Sequence, residues 1–140
     1  MKRLWLIVSA LAAAAGCTPD RCNTPIGPGG QFDLTLPAYA AIGTVGAQAI
    51  THDIYGQVVG HRGIYVRRVT FTDFVAFEMS CPEDHEVQLV PDAENDVLLS
   101  CPACGSRFET INGNPLEGSA TACALYQYTA DFDGQTLLIY

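Results

Sequence analysis

Basic residues are scarce in this chain. Of 140 residues only seven are Lys or Arg, against fifteen Asp or Glu, for a formal charge of −8. Lys2 is the sole lysine. The clustered cations that a phosphate backbone demands are missing, which excludes nucleic acid as a partner. Charged residues are only 16% of the chain and hydrophobic ones 49%, so the composition of a disordered polyelectrolyte is missing too. There is no Ser/His/Asp arrangement and no glycine loop to cradle phosphate, and 140 residues leave room for one domain rather than a multidomain enzyme. Independent catalysis is therefore not expected. No internal repeat is evident. Beyond the N-terminal segment no stretch sustains a helical period, residues 38–50 being the one ambiguous case. Cysteine, by contrast, is plentiful: six in a chain this short point to disulfides, metal or lipid.

Met1-Lys2-Arg3 places positive charge ahead of an apolar run, residues 4–15, that ends in small residues. The run is too short to span a bilayer comfortably and reads as a secretory signal. It closes with Ala14-Ala15-Gly16-Cys17, which resembles the bacterial lipobox. That resemblance implies cleavage before Cys17 and diacylation of its thiol. Residues 1–16 are then a signal peptide, and residues 17–31 a lipidated N-terminus and spacer, rich in Pro19, Pro25, Pro28, Gly27, Gly29 and Gly30. The alternative is ordinary secretion with Cys17 in a disulfide. The implied location is the bacterial cell envelope, periplasm-facing or at the outer membrane, with the lipid bilayer as partner. The mature chain keeps five arginines against all fifteen acids, a balance of −10. Electrostatics gives such a chain no help at an anionic membrane, so its acyl chains must hold it there.

From residue 32 the pattern is strand-like. Residues 64–69 and 74–79 are β-branched and aromatic segments bounded by turn residues. Residues 87–90 and 97–99 flank a polar loop and predict a hairpin. Residues 126–132 and 135–140 flank Asp133-Gly134, a strong hairpin signal. An all-β domain over residues 32–140 is expected. A domain of this size is viable without covalent staples, so its cysteines need another reason.

Four potential ligands fall close together in Cys81-Pro82-Glu83-Asp84-His85 and Cys101-Pro102-Ala103-Cys104-Gly105. Two thiols three apart can address one metal, with proline stiffening the turn and glycine letting the backbone curl beneath the sulfurs. The hairpin over residues 87–99 would bring the halves together, giving a candidate set of Cys81, His85, Cys101 and Cys104. Three alternatives stand beside it. Cys101 and Cys104 form a Cys-x-x-Cys pair, but a thioredoxin-type dithiol belongs beside a βαβ unit, which is absent. The thiols can form disulfides outside the cytoplasm, and His85 can be a surface residue. If Cys81, Cys101 and Cys104 bind metal and Cys17 carries lipid, Cys22 and Cys123 remain and can pair. His52 and His61 have no ligand neighbours at suggestive spacing and read as surface or turn residues.

The segment resembles a Rieske domain. Cys81-Pro82 and Cys101-Pro102-Ala103-Cys104-Gly105-Ser106-Arg107-Phe108 match the frame of the two Rieske loops, and Gly113-Asn114-Pro115-Leu116-Glu117-Gly118-Ser119-Ala120 resembles the segment that follows the second. The similarity covers residues 58–140, and loosely from 32. It implies antiparallel β-sheets with a small metal-binding subdomain at about residues 79–110, a [2Fe–2S] cluster, and electron transfer to a redox partner the sequence does not name. The departures fall at the ligands. Glu83 stands where the first Rieske histidine belongs and Cys104 where the second belongs, with His85 two positions late. A third thiolate would lower a cluster's potential, since Rieske centres owe their high values to neutral histidines. Glu78, Glu83, Asp84, Glu86, Asp92, Glu94 and Asp96, with no basic residue among them in sequence, would push the same way. Exported Rieske proteins commonly use a twin-arginine signal because they cross folded and loaded, and Lys2-Arg3-Leu4 is not one. A chain that crosses unfolded acquires its metal outside, which suits zinc. A closed Cys3His set is a usual structural zinc site, contributing about 10–16 kcal/mol of apparent binding energy to folding. Three readings follow: a lipid-anchored [2Fe–2S] electron carrier, a Rieske-derived binding module built on Zn2+, and a metal-free domain stapled by a disulfide.

Overall fold

Ile64, Tyr65 and Val66 are consecutive and all buried, which in a strand means that both faces of the sheet are covered. The computed structural model, which describes residues 22–140, shows how. The signal segment, Cys17 and the start of the spacer lie outside the described residues. Among the described residues, in chain order, the strands are β1 (Gly30–Asp33), β2 (Ala47–Ile50), β3 (Ile64–Arg68), β4 (Phe74–Glu78), β5 (Val90–Pro91), β6 (Leu98–Ser100), β7 (Arg107–Glu109), β8 (Gln127–Tyr128), β9 (Ala130–Phe132) and β10 (Thr136–Ile139), with one short helix, α1 (Ala40–Gly43). They form three antiparallel sheets in the orders β1-β10-β9, β2-β3-β4-β8 and β5-β6-β7. The fold is all-β, as the sequence pattern predicts.

Two cores explain the unbroken apolar strands. Ile64, Val66 and Ala76 join Phe32, Ile42, Ile50, Val59, Leu137 and Ile139, a cluster shared with β1 and β10. Tyr65 and Phe77, one residue out of phase, join Met79, Leu89, Leu99, Phe108 and Leu125 in a second cluster shared with the small sheet β5-β6-β7. Cys81 and Cys101 belong to that second cluster. The central sheet therefore carries one core on each face, and the candidate ligands sit at the edge of the second. Tyr65 and Arg67 fasten the small sheet to the central one. The Tyr65 hydroxyl donates to the carbonyl of Asp96 (3.1 Å), and Arg67 Nε donates to Thr110 Oγ1 (3.0 Å).

The hairpins fall close to their expected places. Asp133, Gly134 and Gln135 turn β9 into β10, and the Asp133 carboxylate accepts the amides of Gln135 (2.9 Å) and Thr136 (2.7 Å). The other hairpin forms at β5 and β6, so its first strand lies a little later than residues 87–90. Its loop is held by Asp92, which accepts the amides of Glu94 (3.0 Å) and Asn95 (3.2 Å). The ambiguous stretch divides: it starts as a 3-10 turn, Pro37–Tyr39, and α1, then ends as β2. Residues 126–132 also divide, because Thr129 crosses between sheets; it exchanges backbone hydrogen bonds with Tyr140 of 2.8 and 3.0 Å.

One expectation needs correcting. The described part of the supposed spacer, residues 22–31, is built into the domain. Cys22 is bonded to Cys123, Pro28 accepts the Gly60 amide at 2.8 Å, and β1 starts at Gly30. Gly27 passes so close to Gly60 that an added Cβ would lie 1.9 Å from its carbonyl carbon. The proline and glycine content that reads as a flexible linker instead lets the chain lie flat against its neighbours. The domain thus starts no later than Cys22, not at residue 32.

Candidate metal centre

Strand β4 leads into the site through Glu78, whose fully buried carboxylate fixes the chain on both sides of it. Oε1 accepts the amides of Arg62 (2.9 Å) and Ser80 (3.1 Å); Oε2 accepts the amides of His61 (2.7 Å) and Gly27 (3.3 Å) and the Tyr128 hydroxyl (2.7 Å). A buried carboxylate is costly unless hydrogen-bonded, and this one has five donors. Burial, then the Glu78 carboxylate, pushes the Tyr128 hydroxyl far above the usual phenol range. Glu78 is therefore a structural clamp and not part of a solvated acidic loop.

Past Glu78, two short loops present the sulfurs. The first closes where Cys81 N donates to Val87 O (3.0 Å) and Val87 N to Asp84 O (2.9 Å), with Ser80 Oγ donating to His85 O (2.6 Å). In the second, Cys101 N donates to Ser106 O (2.8 Å) and Gly105 N to Cys101 O (2.9 Å). Gly105 sits at φ +72°, the left-handed turn conformation that glycine adopts without strain.

Together the loops bring the sulfurs of Cys81, Cys101 and Cys104 within 4.8 Å of one another. Cys81 Sγ and Cys104 Sγ are 3.7 Å apart. Two thiolates bound tetrahedrally to one ion at about 2.3 Å would lie about 3.8 Å apart, so this edge already has the span for a single metal. Cys81 and Cys101 are buried and Cys104 is half-buried. Burial pushes the Cys81 thiol up to about 12, against the pull of the Asp84 and Glu83 amides. Burial acts the same way on Cys104, yet the hydroxyl and amide of Ser106 and the neighbouring thiols bring it below the ordinary thiol value. The Ser106 hydroxyl, 3.1 Å from Cys104 Sγ, also accepts the Ala120 amide at 2.9 Å, tying the residues after β7 to the site.

His85 is not among the converging donors. Its Nε2 lies 3.1 Å from the carbonyl of Pro82, so the ring folds onto its own loop. Among the described residues the donor group is three thiols rather than Cys3His. Glu83, in the position of the first Rieske histidine, is solvent-exposed and also outside the group. Cys22 and Cys123, the two spare cysteines, are joined as a disulfide with Cα atoms 5.3 Å apart. His52 is exposed, and His61 Nε2 lies 3.9 Å from Glu86. The acidic run is partly neutralised from distant segments, since Arg62 pairs with Glu86 and Arg107 with Asp92 (3.4 Å).

A [2Fe–2S] centre of Rieske type takes two protein ligands on each of two irons. Among the described residues three sulfurs lie within 4.8 Å of one another, and Glu83, which the sequence resemblance sets at a ligand position, is exposed and outside the group. Such a cluster needs a fourth protein ligand beyond the three thiols grouped among the described residues, whereas the Cys81–Cys104 edge already has the span for a single thiophilic ion.

No protein-family profile matches the chain, and no curated protein matches it. Among solved structures it is similar to a chain in the complex of reduced oxygenase and oxidized ferredoxin in carbazole 1,9a-dioxygenase. That likeness has 19% identity and a TM-score of 0.43, over 71% of this chain and 85% of that one.

Proposed function

We propose that this is a Rieske-like metal-binding domain, anchored in the bacterial cell envelope through a lipid on Cys17, that holds one thiophilic ion on Cys81, Cys101 and Cys104. The convergence of those three sulfurs within 4.8 Å carries the reading. Supporting it are the two Cys-Pro loops at the end of a small sheet, the arrangement implied by the sequence resemblance. A general secretory signal supports it too, because zinc can be acquired after an unfolded chain has crossed. Soft thiolates select zinc among available divalent ions. The domain is then a binding module, with the ion holding together two loops that the second core alone leaves at its edge.

Electron transfer on a [2Fe–2S] cluster is the second reading. The observation in its favour is that Cys81 and Cys101, the two residues that match the Rieske frame, lie in facing loops and are both buried. Metal analysis with a visible spectrum on protein isolated from its native membrane decides between them. About one zinc per colourless chain supports the first. Two irons per chain with visible absorption would replace it by the second. Absence of both metals, with Cys81, Cys101 or Cys104 refractory to alkylation until reduced, would leave the disulfide-stapled form.

A further inference from the structure

Four-coordinate zinc sites divide into closed ones, with four protein ligands, and open ones, with three and an exchangeable position. We infer that the centre at Cys81, Cys101 and Cys104 is of the open kind and takes a small neutral nitrogen donor of the imidazole type in its fourth position. The inference rests on the reading of these thiols as a metal centre.

Three observations carry it. First, no other His, Cys, Asp or Glu among the described residues places a ligand atom within the 4.8 Å group. His85, the nearest candidate in sequence, is turned to the Pro82 carbonyl at 3.1 Å, and Glu83 faces solvent. Second, the site has an open side. Cys81 and Cys101 are buried, whereas Cys104 is only half so and lies among exposed Pro102, Ala103 and Gly105. A Cβ built on Gly105 meets nothing within 4 Å, so the loop that carries the half-exposed sulfur faces solvent on that side.

Third, charge selects the ligand. Three thiolates outweigh a divalent ion, so the loaded centre is anionic. Glu83 and Asp84 are exposed on the adjoining loop without an ion pair among the described residues, while Glu86 is paired with Arg62. A second anion would be repelled, and a neutral donor would not. Imidazole nitrogen is neutral and suits zinc.

The test loads the full chain, with Cys22–Cys123 intact, with one equivalent of cobalt(II), whose visible bands report thiolate count and coordination. Imidazole should shift the ligand-field bands saturably while azide at equal concentration leaves them in place. His85→Ala should give the wild-type spectrum before and after titration. Bands that imidazole does not move, or that His85→Ala alone displaces, would mean a protein group fills the fourth position. Either result overturns the inference and leaves the three-thiol centre standing. An azide shift equal to that of imidazole would overturn the preference for a neutral donor. Failure to develop any thiolate-to-cobalt charge-transfer band would instead remove the metal reading itself.

Discussion

The Tyr128 hydroxyl donates to Glu78 Oε2 at 2.7 Å, joining β8 to the end of β4 two residues before the first loop of the metal centre. Because Glu78 also accepts backbone amides from Gly27, His61, Arg62 and Ser80, one buried carboxylate ties the N-terminal segment, the residues before β3 and the approach to Cys81 into a single body.

Removing that carboxylate should be severe. Glu78→Ala strands several buried donors at once, each costing about 1–3 kcal/mol, so a loss of at least about 3 kcal/mol is expected in urea unfolding. Tyr128→Phe keeps the ring in place and deletes one charge-assisted hydrogen bond, worth about 1.5–3 kcal/mol. In a Glu78→Gln background the same Tyr128→Phe change should cost less, and equal costs in the two backgrounds would show that the pair is not coupled.

Alkaline pH should weaken the fold through its buried tyrosines. Tyr128 and Tyr65 are both raised above the usual phenol value by burial, with Glu78 adding to the effect on Tyr128 and Arg67 opposing it on Tyr65. A raised folded-state value means the unfolded chain ionises first. The stabilisation is therefore complete below about pH 10 and is lost as pH rises beyond it. Tyr128→Phe should flatten this alkaline slope. At the acid end, Asp33, Asp92 and Asp133 are held below the ordinary value by neighbouring donors: Thr35 for Asp33, the Glu94 amide for Asp92 and the Thr136 amide for Asp133. Their contribution is present above about pH 4 and disappears as pH falls through their lowered values. Unfolding midpoints in urea measured across pH give both slopes.

The disulfide should matter more than a surface staple. Cys22 and Cys123 are 101 residues apart in sequence, so the bond closes nearly the whole described chain. Closing a loop of this length contributes up to about 4.7 kcal/mol on the chain-entropy account, and native disulfides typically contribute about 2–5. Cys22→Ser/Cys123→Ser should lower the urea midpoint accordingly while leaving binding of metal at Cys81, Cys101 and Cys104 detectable. An unchanged midpoint would mean that residues 22–31 are held by Gly27, Pro28 and β1 alone.

The sheets and the two Cys-Pro loops were legible because their signals are local: β-branched and aromatic runs in residues 64–69 and 74–79, Asp133-Gly134 at a turn, and thiols at short spacing. What was not legible depended on long-range pairing. Nothing near Pro25, Gly27 or Pro28 in sequence says that Glu78 lies opposite, so this stretch reads as linker. A lone carboxylate inside the apolar run of β4 was the available hint that a buried acceptor was needed. His85 misled for the same reason. Its spacing from Cys81 suits a ligand, but ring direction is decided by the closure of the loop and the carbonyl of Pro82.

Thiol accessibility gives the last prediction. Cys104 is the most exposed of the three free cysteines among the described residues, and its thiol lies below the ordinary value, set against burial by Ser106. Cys81 is buried and raised to about 12. In metal-free, folded protein near pH 8 an alkylating reagent should therefore modify Cys104 first, with Cys81 and Cys101 following only as the fold opens. Ser106→Ala should slow that first reaction, because the Ser106 hydroxyl stabilises the thiolate. It should also lower metal affinity by about 10–100-fold, the usual cost of losing a partner of a metal ligand. Bound metal should protect all three. Peptide mapping by mass spectrometry reads the order directly. Modification of Cys81 or Cys101 ahead of Cys104 would contradict the geometry, and loss of protection at only two of the three with metal bound would reduce the ligand set.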